Sequence, residues 1–87
     1  MALTRGEFLR LLPAAVGHGP YRVTEDEIAS DGDSPAWRIR LEERPARAFG
    51  PVAIPVLAVT LFIEGVPEAA AQSFVARFLL GYQRAGG

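Results

Sequence analysis

His18 is the only histidine in the chain, and it stands between Gly17 and Gly19 with no acidic residue within four positions on either side. A general base needs an orienting partner as well as a basic nitrogen. His18 therefore reads as a loop residue or a cap on helix carbonyls rather than as a catalytic group. Cysteine is absent, which removes thiolate nucleophiles, disulfide frameworks and thiolate-ligated zinc or iron–sulfur centres together. Glu25-Asp26-Glu27 fits a solvated turn better than a carboxylate pair set for acid–base work. Asp31-Gly32-Asp33 begins like a calcium loop, but Pro35 takes the place of a side-chain ligand and Ala36 that of the loop's central glycine. No catalytic, cofactor-binding or metal-ligating residue is assigned, and with one histidine, no cysteine and no phosphate loop the chain is read as a non-enzyme.

The residues left with chemistry to offer are arginines. Strand alternation places Arg22, Arg38 and Arg40 on the same sheet face as Val56 and Phe62, provided that their strands pair. Arginines beside an exposed aromatic on an open sheet bind single-stranded RNA in some domains, by stacking and phosphate contact. The same face also arises when Glu42 and Glu64 neutralise the arginines across strands. Nine arginines and no lysine against ten acids leave a net charge of −1, so no global field favours nucleic acid.

Eighty-seven residues suit one domain over residues 1–87, because a chain of this length buries only about 60 to 65% of its unfolded surface and cannot build two cores. A composition 49% hydrophobic and 22% charged belongs to a globular protein rather than a disordered one. Arg5, Glu7 and Arg10 interrupt the N-terminal region, so it does not read as a signal peptide. The longest nearly apolar stretch, 52–63, falls well short of the ~20 residues that span a bilayer. These features predict a soluble, cytoplasmic protein with no membrane association, no cofactor and no small-molecule substrate.

Thr4-Arg5-Gly6-Glu7 fits a capping box that starts a helix at Arg5, and Phe8, Leu11, Leu12 and Ala15 supply its apolar face. Pro13 is expected to kink that helix or end it early. From Pro20 the period becomes two: Tyr21 and Val23 belong to a first short strand, Ile28 and Ala29 to a second, and Trp37, Ile39 and Leu41 to a third. Pro45, Pro51 and Pro55 with Gly50 rule out a regular strand through all of 44–55, and Phe49-Gly50-Pro51 is read as the turn of an imperfect hairpin. In 56–64 both faces are largely apolar, and Leu57, Val59, Leu61 and Ile63 form an aliphatic row, which predicts a central strand. Pro67 is placed as the first residue of a last helix, with Ala71, Phe74, Val75, Phe78, Leu79 and Tyr82 as its stripe.

This order predicts an α+β, two-layer sandwich: helix, three or four antiparallel strands, helix, with both helices on one sheet face. The layout is similar to the double-stranded RNA-binding domain, but Pro67-Glu68-Ala69-Ala70-Ala71 stands where that family carries a lysine cluster, so the similarity transfers no function. The terminal Gly86-Gly87 resembles the end of ubiquitin-like and sulfur-carrier proteins, which implies a carrier activated at its C-terminus. If the last helix runs through Gly81 to Arg84, three residues remain and reach about 10 Å; if Gly81 ends the helix, six reach about 20 Å. The first is favoured.

The apolar outer face sets the functional expectation: a protein–protein interaction module or homodimer that buries the face carrying Arg22, Arg38, Arg40, Val56 and Phe62, or a strand edge, against itself or another protein. The alternatives are a nucleic-acid-binding domain using those arginines and a diglycine carrier.

Overall fold

The computed structural model describes residues 1–31 and 36–85. Six elements follow in the order α1 (Arg5–Ala15), β1 (Tyr21–Val23), β2 (Glu27–Ser30), β3 (Ala36–Phe49), β4 (Val52–Glu64) and α2 (Glu68–Ala85). The four strands form one antiparallel sheet in the order β1-β2-β3-β4, so the chain is an α+β protein with a helix before and a helix after a meander.

Helix α1 starts as its sequence dictates. The Glu7 amide donates to Thr4 Oγ1 at 3.2 Å and the Thr4 amide donates to Glu7 Oε1 at 3.0 Å. These bonds from Thr4 hold the Glu7 carboxyl below the usual carboxylate range. Pro13 neither ends the helix nor shortens it, contrary to expectation, because it lies two residues before the last helical position and its missing N–H removes a single bond near the fraying end. The exit is a Schellman turn: His18 N donates to Pro13 O at 2.7 Å and Gly17 N to Ala14 O at 3.3 Å, with φ of 77° at Gly17 and 61° at His18. That exposed turn accounts for His18.

The imperfect hairpin forms as the sequence predicts: β3 and β4 pair from Ala36↔Glu64 out to Phe49↔Val52, with one irregularity between Arg44 and Arg47 that absorbs Pro45. The turn itself is Gly50-Pro51, and its φ of 59° at Gly50 suits the twist of a two-residue hairpin. Strand β4 is an edge strand, not a central one. Pro55 is tolerated because it faces that open edge, where a missing N–H costs no ladder bond.

Helix α2 begins at Glu68, one residue later than expected. Pro67 precedes it and accepts at its carbonyl from Ala71 N at 3.0 Å. It runs without interruption through Gly81, so the longer-helix reading holds, whereas Gly86-Gly87 lie outside the described residues.

One core cluster joins Phe8, Leu12, Ala15 and Val16 of α1 and its C-cap to Phe78 and Tyr82 of α2, and to Ile28, Trp37, Ile39, Leu41 and Leu57 of the sheet. Both helices thus pack on Trp37, Ile39 and Leu41 of β3, as alternation requires, but the α2 stripe is buried only at Phe78 and Tyr82 and partly at Phe74, whereas Val75 and Leu79, expected in it, are exposed. Tyr82 stacks on Phe8 at 4.7 Å and donates its hydroxyl to Phe8 O at 2.9 Å. Burial pushes the Tyr82 phenol well above its ordinary range, with Tyr21 adding to the shift. A raised phenol means that the folded chain holds its proton where the unfolded chain releases it, so stability is unaffected below the ordinary ionisation near pH 10 and falls as pH rises above it. Tyr82→Phe should cost about 1 kcal/mol at neutral pH for the lost hydrogen bond and flatten the loss above pH 10. Urea midpoints of both forms between pH 8 and 11 measure it; parallel pH profiles would remove this role for the phenol.

Candidate protein-interaction face

The outer face is built by the residues that alternate with the core. Cα pairing runs Arg22↔Ala29, Ala29↔Arg38 and Arg38↔Phe62, so these residues form one row across all four strands. The next row runs Glu27↔Arg40↔Thr60, and beyond it lie Glu42↔Ala58 and Arg44↔Val56. Past the irregularity Arg47↔Ile54 and Phe49↔Val52 continue the ribbon. The structure therefore brings Arg22, Arg38, Arg40, Val56 and Phe62 onto one surface, with Val56 toward the ribbon's far end.

Its electrostatics are largely internal. Arg22 Nε lies 2.9 Å from Asp31 Oδ1, Arg38 Nε 3.7 Å from Glu27 Oε1 and Arg44 Nη2 3.4 Å from Glu42 Oε2. The partner of Arg38 is thus Glu27, not Glu42 or Glu64, because β2 runs alongside β3 on the side away from β4. Each pair is exposed enough for solvent to screen it, so together they contribute little stability. They do cancel charge. The Arg38 guanidinium also sits 4.8 Å above the Phe62 ring, covering the aromatic surface on which a base would stack.

Distal residues were hidden by the prolines. Arg47 lies 5.8 Å over the ring of Phe49, and Phe49 and Val52 are 57% and 55% exposed, more than any other large apolar side chain among the described residues. Alternation of Arg47 with Phe49 and of Val52 with Ile54 was available as a signal once the hairpin was taken to be continuous.

A second feature lies by the start of α1. Met1, Ala2, Leu3, Leu79, Tyr82 and Gln83 line an open groove of about 410 Å³. Its walls are mainly apolar, and the Tyr82 hydroxyl is already committed to Phe8 O. Among the described residues no three His, Cys, Asp or Glu side chains come together to hold a metal ion. Among the described residues no helix is long and apolar enough to cross a membrane. Comparison with protein-family models, with curated proteins and with solved structures finds no match to this chain.

Proposed function

We propose that this chain is a binding module, not an enzyme, and that it docks another protein on the outer face of the β3–β4 ribbon. The observation that carries this reading is the run of exposed arginine and apolar side chains from Phe62 and Arg38 to Arg47, Phe49 and Val52. Arginine and aromatic residues are the types that contribute most at protein interfaces. The ion pairs of Arg22, Arg38 and Arg44 and a capped Phe62 ring favour a protein partner over nucleic acid, which needs free cations and open aromatic faces.

Replacing Phe49 and Val52 together by Ser and Thr tests the reading, since both side chains stand outside the core. Wild-type and doubly substituted chains, each purified from the native host, should carry different companions: a protein retained stoichiometrically by the first and lost by the second. An unchanged set of companions would overturn the proposal, and so would nucleic acid retained by both and released by salt.

A further inference from the structure

We infer that β4 pairs along its free edge with β4 of a second copy of this chain, about a two-fold axis at Leu61. This rests on a different surface from the outer face and does not depend on it. Leu41 N donates to Asp26 O at 2.8 Å, so odd-numbered residues of β3 turn their peptide groups toward β2 and even-numbered ones toward β4. On β4 the even residues accordingly face β3 and the odd residues face outward. Leu57 obeys this alternation: its N–H donates to Met1 O at 2.8 Å, and the Met1 amino group donates to Leu57 O at 2.6 Å.

Among the described residues no hydrogen bond reaches the outward N–H or C=O groups of Val59, Leu61 and Ile63. The open window has defined ends. Met1 fills the position at Leu57, and Gly65, with φ of 75°, turns the chain away after Glu64.

Proteins blunt exposed edges with charges, prolines or bulges. The distal ribbon carries such devices, Pro55 and the irregularity at Arg44/Arg47, whereas 56–63 reads Val-Leu-Ala-Val-Thr-Leu-Phe-Ile without a charge or a proline. This is the composition of a central strand at an edge position, and a second copy would make it central.

The window itself selects a copy of this chain as the occupant. It is centred on Leu61, so antiparallel pairing about Leu61 sets Val59 opposite the partner's Ile63 and Ile63 opposite the partner's Val59. All the open groups are then satisfied, in about six main-chain hydrogen bonds. Side chains agree with that register: aliphatic residues meet on the inner face, Thr60 meets Phe62 on the outer face, and Glu64 meets Ala58, so like charges never oppose. Leu79 of α2 lies beside Met1 at this edge, and Val75, one turn away on the same side of the helix, is exposed with it. The two residues extend the apolar strip from the strand onto the helix.

Because the chain contains no cysteine, single substitutions read the register directly. Sedimentation of the full chain should show a concentration-dependent species of twice 9.4 kDa. Thr60→Cys and Phe62→Cys, both at exposed outer-face positions, should form a mixed disulfide dimer when oxidised together. Neither should cross-link alone, because 60 to 60 and 62 to 62 are diagonal neighbours about 7–8 Å apart, beyond disulfide reach. Leu61→Pro, which removes an outward N–H and no internal ladder bond, should weaken the dimer more than about tenfold. A monomer at every concentration overturns the inference and leaves the outer-face reading intact. A dimer that cross-links through Phe49→Cys and not through the 60/62 pair also overturns it, and moves self-association to the outer face.

Discussion

Phe8→Ala should leave the chain largely unable to hold its native packing. Phe8 has no exposed surface, stacks on Tyr82 at 4.7 Å and tilts against Phe78 at 6.2 Å, so it is the largest side chain through which α1 grips α2. Truncating a buried phenylalanine costs about 3–5 kcal/mol, the lost transfer energy plus the cavity left behind. The aromatic pairings add to that loss. A chain of this size starts near the low end of the usual 5–15 kcal/mol range, so most of its stability goes with one side chain. Thermal unfolding followed by circular dichroism should show a midpoint lowered by at least about 15 °C. A cost below about 1 kcal/mol would mean that α1 and α2 are held together elsewhere.

Local signals in the sequence translated directly into structure. Thr4 and Glu7 satisfy orphan amides within their own turn, so no distant contact can overrule them, and the helix starts where they stand. Trp37, Ile39 and Leu41 alternate without interruption, and all three are buried, because a period of two fixes the face once one member is inside. The placement of Arg22, Arg38 and Phe62 on a common face was legible for the same reason, whereas their common row came only from the register.

What the sequence hid depends on neighbours. Pro45 and Pro55 announce an irregular hairpin without locating the irregularity, because the cost of a proline depends on which way its missing N–H points, and the sheet order shows one at a bulge and the other at an open margin. Strand order misled the reading of β4 through the opposite route. Its two apolar faces resemble those of a strand flanked on both sides, yet within one chain only β3 pairs along its length. The mismatch between composition and position is itself informative, since it locates the surface from which the dimer inference starts.

Gly81 is the residue for which both local rules, helix propensity and C-terminal capping, gave an incomplete account. An interior glycine costs a helix about 1 kcal/mol relative to alanine, and Gly81 lies inside α2 without ending it. The reason is the crossing with α1: a Cβ built on Gly81 would stand 3.0 Å from both Cα and Cβ of Ala15, so the two helices meet backbone to backbone. Ala15 is buried, and the atoms met are its Cα and the Cβ fixed to it rather than the mobile end of a side chain, so the helices themselves have to separate. Gly81→Val should therefore destabilise by about 1–3 kcal/mol, the usual cost of overpacking, and do so without truncating any core side chain. Gly81→Ala should lose less, because its better helix propensity offsets part of the strain. Ala15→Gly should recover part of the Gly81→Val loss by removing one of the two clashing atoms, even though Ala15→Gly alone is destabilising. A double-mutant cycle in urea measures this as a favourable coupling of at least about 0.5 kcal/mol. Strict additivity would show that the helices do not cross at these two residues, and the explanation for an uncapped glycine deep in α2 would fall with it.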